Sequence, residues 1–198
     1  MSRVGIMGGT FNPPHNGHVH AARQAMAAMQ FDRLLLIPDN VPPHKTMPYG
    51  SADGEQRLEM TRLMAREIPG AEACDMELRR GGRSYTADTL RALQRALPEA
   101  ELFLIIGTDM LLTLDKWREP ETLCALAGLV TVARDDDDHA ALEQKAAWLK
   151  EKWNARVWLV DCPALPVSST DVRADRALCR AMVPPAIYQY IEQQGLYF

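Results

Sequence analysis

The feature that most constrains this chain is a set of short, largely apolar runs. Residues 4–7, 33–37, 102–106, 129–132 and 157–160 each read as a strand, and in Leu102-Phe103-Leu104-Ile105-Ile106 five consecutive side chains are apolar. A strand with one wet face alternates polar and apolar residues, whereas a continuous apolar strand needs cover on both faces. Between the runs lie stretches of helical period: 18–29, rich in Ala and Met; 55–68, with Leu58, Met60, Leu63 and Met64; 86–97, with Leu90, Leu93 and Leu97; and 140–153. Strands alternating with helices predict an α/β fold, a doubly wound parallel sheet with helices on both sides. Residues 73–78 read as a weaker strand. Residues 170–182 and 185–194 read as closing helices, a small helical C-terminal portion over about 168–198. No repeat, low-complexity tract or linker interrupts the 198 residues, so one domain over 1–198 is expected, large enough for a core without staples.

In such sheets ligands gather beyond the carboxyl ends of the strands. After the first strand comes Gly8-Gly9-Thr10-Phe11-Asn12-Pro13-Pro14-His15-Asn16-Gly17-His18. Adjacent glycines let backbone approach a ligand, prolines stiffen the turn, and a helix opens near Gly17 with free N–H groups that favour an anion. His15 and His18 flank that helix start and can both donate to phosphate oxygens. Two plainer readings stand beside this one. The first is a tight strand-to-helix turn with incidental histidines. The second is a metal cluster of His15, His18 and His20, which is weakened because His20 would point away and no Cys or acidic residue is spaced to complete it.

Near the other end lies Val167-Ser168-Ser169-Thr170-Asp171-Val172-Arg173. Ser and Thr ahead of a helix are natural caps, so a cap followed by a surface Arg is the plain reading. The net charge of −4 argues against a general nucleic-acid binder. The longest apolar runs are far too short to span a bilayer, and the N-terminus lacks a signal-peptide core. Cys74, Cys124, Cys162 and Cys179 form no C-x-x-C pair and read as reduced thiols, so a soluble, cytoplasmic protein is expected.

Taken together, the two segments resemble the nucleotidyltransferase superfamily with the H-x-G-H motif. The first is similar to G-G-T-F-[DN]-P-x-H-x-G-H, with Asn12 where many members have Asp, and the second to S-S-T-x-x-R. The resemblance implies a modified Rossmann-type fold and adenylyl transfer from ATP, with Mg²⁺ entering as its complex. It implies His15, His18 and Arg173 as catalytic residues. It also implies an ATP site from Gly8, Gly9, Thr10, Phe11, His18, Gly107, Asp109, Ser168, Ser169, Thr170 and Arg173. The chemistry fits, because the attacking phosphate is already ionised and needs positioning and charge stabilisation rather than a base.

Other segments point to the acceptor. Asn40-Val41-Pro42-Pro43-His44-Lys45, Ser84-Tyr85-Thr86-Ala87-Asp88-Thr89-Leu90 and Gly107-Thr108-Asp109 resemble the nicotinate-nucleotide adenylyltransferase family. They imply nicotinate mononucleotide as acceptor, held by Asn40, Lys45, Tyr85, Thr86, Asp109, Trp117 and Arg134. Plainer readings are a Pro-rich loop, helix caps at Thr86 and Asp109, and a packed Trp117. Nicotinamide mononucleotide and phosphopantetheine are the rival acceptors, and a non-catalytic nucleotide-binding module is the rival class. The partners implied are ATP and the mononucleotide, with no nucleic acid and no membrane; homo-oligomerisation stays open. The run Asp135-Asp136-Asp137-Asp138 reads as a solvated loop and His139 shows no evident partner. Met26, Met29, Met60 and Met64 read as core.

Overall fold

The computed structural model describes residues 1–43, 46–133, 139–163 and 165–198. The apolar runs become strands β1 (Ser2–Gly9), β2 (Arg33–Pro38), β4 (Ala100–Gly107), β5 (Gly128–Ala133) and β6 (Val157–Asp161), joined by a short β3 (Ala71–Ala73). They form one parallel sheet in the order β3-β2-β1-β4-β5-β6. Chain order reverses at β1 and β4, which pair from Ser2 with Ala100 to Met7 with Ile105. Burial explains the runs: Leu34, Leu36 and Ile37 are 0% exposed, and residues 102–106 are each at most 5% exposed. Such complete cover on both faces is what a continuous apolar strand requires.

The helices are α1 (Asn16–Met29), α2 (Gly54–Arg66), α3 (Met76–Arg80), α4 (Thr86–Ala96), α5 (Thr108–Leu112), α6 (Pro120–Leu126), α7 (His139–Trp153), α8 (Ser169–Ala174), α9 (Arg176–Met182) and α10 (Pro185–Gln194). Helix α2 begins with a capping box, in which Asp53 accepts from the Gln56 N–H and Gln56 returns a bond to the Asp53 N–H. Helix α10 starts with Pro185 and ends at Gly195 in the left-handed region, φ +61°. Met29, Met60 and Met64 are buried, as expected of core methionines, whereas Met26, read as core with them, is only half-buried.

Two local readings need correction. Residues 73–78 are not a strand: β3 is over by Ala73, and Met76-Glu77-Leu78-Arg79-Arg80 are good helix formers that form α3. Residues 170–182 are two helices, because Asp175 leaves helical geometry and its carboxylate accepts the N–H groups of Ala177 and Leu178, restarting the chain as α9. The stretch after β4 contains α5, a 3₁₀ turn at Leu114–Lys116 and α6, all too short to leave a clear period.

By internal contacts the chain falls into two compact units. The first holds Met1–Gly8, Gln24–Leu34 and Tyr85–Ala164: most of β1, β4 to β6, and α4 to α7. The second holds Gly9–Arg23, Leu35–Ser84 and Leu165–Phe198: the turn after β1, α2, β3, α3 and the C-terminal helices.

Candidate active site

In the second unit the turn after β1 is held from several directions. Phe11 takes a left-handed backbone, φ +49°, and is buried, with His18 against its ring edge at 5.2 Å between centroids. The His15 and His18 rings are tilted against each other at 3.8 Å between centroids. His18 Nδ1 accepts the His15 backbone N–H at 3.2 Å. In a neutral ring that acceptor role assigns the proton to Nε2. Gly17 keeps the arrangement tight, because a Cβ there would come within 3.0 Å of His15 Nδ1 and 3.1 Å of Val167 Cγ1. At Gly8, by contrast, an added Cβ would meet nothing within 4 Å.

The C-terminal segment closes on the same turn. Arg173 Nη1 donates to the Asn12 carbonyl at 2.5 Å, and the Ser169 hydroxyl to the Pro13 carbonyl at 2.9 Å. Arg173 Nη2 also donates to Thr170 Oγ1 at 3.3 Å. Ser168 is a cap, its hydroxyl and backbone engaged with Asp171 in a capping box. The two distant motifs therefore meet.

Asn12 is the knot of the turn. Its Nδ2 donates to Ser51 Oγ at 2.8 Å, and its Oδ1 accepts from the Ala52 N–H at 3.2 Å and from the Tyr197 hydroxyl at 2.8 Å. Burial pushes the Tyr197 hydroxyl above its ordinary range, so it remains a protonated donor at neutral pH. The Ala52 N–H and the Tyr197 hydroxyl donate to Oδ1, which an aspartate could match; only the amide donates to Ser51.

Beneath the turn lies a pair that the sequence reading passed over. Arg57 of α2 is 2% exposed and pairs with Asp39, Nη1 to Oδ1, at 3.1 Å. It also donates to the carbonyls of Thr10 at 2.9 Å and Asn40 at 3.3 Å. One signal was available: 57, 60, 61 and 64 fall on one face of a helix, so a charged residue sat on the buried stripe. Asn40 is tied in turn, its N–H to Ser84 Oγ at 2.8 Å and its Nδ2 to the Gly82 carbonyl at 3.0 Å.

The first unit carries the remaining candidates. Gly107 caps α5 and Asp109 lies exposed in its first turn. Tyr85, not Thr86, is the N-cap of α4, and the Arg118 guanidinium stands 4.4 Å from the Tyr85 ring centroid. Trp117 is half-buried after the 3₁₀ turn. His139 has a partner after all, with Nε2 3.2 Å from Asp161 Oδ1. Lys45, Arg134 and the four-aspartate run lie outside the described residues.

The four thiols are free, and burial pushes those of Cys124 and Cys179 up to about 11, which keeps them unreactive. Among the described residues no three His, Cys, Asp or Glu side chains converge to hold a metal, and no helix is long and apolar enough to cross a membrane.

A cytidylyltransferase-like family model matches residues 6–175. A protein of Shewanella sp. strain ANA-3, named probable nicotinate-nucleotide adenylyltransferase, is 35% identical over 214 residues, covering 99% of each chain. One of Symbiobacterium thermophilum, with the same name, is 38% identical and covers 100% of this chain and 96% of its own. Among solved structures, the nicotinic acid mononucleotide adenylyltransferase of Plasmodium falciparum complexed with NaAD superposes with a TM-score of 0.80 at 17% identity. That match covers 100% of this chain and 98% of the other, and it speaks for the fold.

Proposed function

We propose a residue-level reading of catalysis from the premise that this chain belongs to the cytidylyltransferase-like family and, over its full length, to the nicotinate-nucleotide adenylyltransferases. The enzyme transfers the adenylyl group of ATP to nicotinate mononucleotide, giving nicotinate adenine dinucleotide and pyrophosphate, a step of NAD biosynthesis. A phosphate oxygen of the mononucleotide forms the new bond to the α-phosphorus. The bond from that phosphorus to the bridging oxygen breaks, and its electron pair leaves with pyrophosphate. No proton has to be removed from the nucleophile, so the protein's task is alignment and charge stabilisation.

In this reading His18 donates from Nε2 to the phosphate oxygens, and His15, stacked on it, sets its plane. Gly8, Gly9, Thr10 and Phe11 line the ATP phosphates, with the start of α1 supplying N–H groups. The observation that carries the reading is the clasp of Arg173 and Ser169 on the carbonyls of Asn12 and Pro13. It brings a fixed cation to the turn that bears both histidines. Ser168 acts through its cap, holding Ser169 and Thr170 in place. Gly107 and Asp109 serve the nucleotide; Asn40, Lys45, Tyr85, Thr86, Trp117 and Arg134 serve the acceptor. Mg²⁺ would enter as the complex of ATP and would offset part of the phosphate charge. The free thiols support a cytoplasmic setting, and the net charge of −4 supports small-molecule partners rather than nucleic acid.

Pyrophosphate release with ATP and nicotinate mononucleotide, nicotinamide mononucleotide or phosphopantetheine, under identical conditions, tests the reading. Turnover is expected to be fastest with the nicotinate compound; ATP binding without turnover for any acceptor would overturn it. Gly8→Ala sharpens the nucleotide half. The added methyl meets no protein atom, so Tm should hold while KM for ATP rises about tenfold through a clash with the ligand.

A further inference from the structure

We infer that Arg57 and Asp39 are positioning residues that lock the phosphate turn and the acceptor loop into one register, an inference that rests on the reading of the reaction given above. Their contacts form a closed ring. Arg57 Nη1 donates to the Thr10 carbonyl and to Asp39 Oδ1, and the Thr10 hydroxyl donates to Asp39 Oδ2 at 2.8 Å. The Asp39 N–H donates to the Gly9 carbonyl at 3.0 Å, while Arg57 Nη2 reaches the Asn40 carbonyl. Thr10 of the turn and Asn40 of the loop are thus held through one guanidinium fork and one carboxylate, and the Asp39 backbone N–H adds Gly9.

Stability alone is a poor account of this pair. Burying two charges costs about as much as their attraction returns, and apolar side chains of similar volume fill such a space as well or better. What apolar side chains lack is the power to hold two carbonyls and a carboxylate at fixed directions. A guanidinium does this with its planar fork, and an ammonium does not. The ring also extends outward, because Asn40 is bonded to Ser84 and Gly82. Displacing one end therefore displaces residues assigned to both substrates.

The test uses the full-length enzyme, with steady-state pyrophosphate release varying ATP and nicotinate mononucleotide in turn, beside a thermal melt. Arg57→Lys keeps the charge and loses the fork. It should lower kcat/KM about ten- to hundredfold, with KM rising for both substrates, at a temperature where the variant is fully folded. The paired variant Asp39→Asn/Arg57→Met leaves no buried charge, and its loss should be no greater than that of the worse single change. A folded Arg57→Lys and a folded double variant with kcat and both KM values within twofold of wild type would overturn the inference, whatever their Tm. If neither folds, Thr10→Val, which deletes one hydroxyl from the ring, is read by the same criterion. Wild-type enzyme inactive with every acceptor would overturn the reaction itself; normal wild-type activity beside unchanged variants would overturn the coupling alone.

Discussion

The turn after β1 and the segment after β4 both leave buried strands and both carry candidate nucleotide-binding residues, yet they are held in opposite ways. The first is laced by hydrogen bonds from residues far along the chain, with separations of 39, 161 and 185 between Asn12 and Ser51, Arg173 and Tyr197. The second is anchored by charge at partly exposed sites: Lys145 pairs with Asp115, and Arg91 with Glu119. Within it the backbone relies on short-range bonds such as Thr113 Oγ1 to the Asp109 carbonyl at 2.8 Å. Fixed donors are what stabilise a reacting phosphorus, because they need no reorganisation as charge develops. A segment that only has to grip a nucleotide sugar tolerates looser fastening.

The largest expected effect comes from paired substitutions. His18→Ala should lower kcat about 10²–10³-fold by removing one aimed donor. Asp109→Asn should leave kcat within about threefold and raise KM about tenfold, since it weakens ground- and transition-state binding alike. Steady-state pyrophosphate release decides, and equal kcat losses would erase the distinction between the regions.

Next in size is the knot. Asn12→Leu strands the Tyr197 hydroxyl and the Ala52 N–H and takes one donor from the Ser51 hydroxyl, costing about 1–3 kcal/mol by chemical denaturation. Asn12→Asp keeps every acceptor at Oδ1 and should cost about 1 kcal/mol or less. Equal destabilisation by both would mean the bonds do not hold the turn.

The smallest effect is acid sensitivity in the charged segment. The Lys145 ammonium holds Asp115 below its ordinary 3.8, and the Arg91 guanidinium holds Glu119 below its ordinary 4.5. Depressed values mean that their contributions are complete above the unfolded-state values and fade as pH falls through the folded ones. Part of the fall in Tm below about pH 4.5 should disappear in Asp115→Asn/Glu119→Gln. An unchanged acid limb would show that these pairs contribute nothing measurable, as many exposed pairs do.

Strand positions were legible because burial on both faces writes itself as uninterrupted apolar sequence, as in β4. The turn after β1 was legible because Gly, Pro and His there serve geometry and chemistry rather than packing. Three kinds of feature were not. The ring through Arg57 joins three separate segments, and no local pattern records a tertiary bond. The break at Asp175 hides because its neighbours, Ala174, Arg176 and Ala177, all favour helix. The short helices of 108–126 take their form from packing rather than from propensity.

The bond from the Tyr197 hydroxyl to Asn12 also sets an order of events during synthesis. A ribosome adding roughly 5–20 residues each second takes on the order of ten seconds or more to pass from one partner to the other. Through that interval the nascent chain can gather its β4–β6 sheet while the nucleotide turn still lacks its last fastening. Catalytic competence should therefore appear later in synthesis than the β4–β6 sheet.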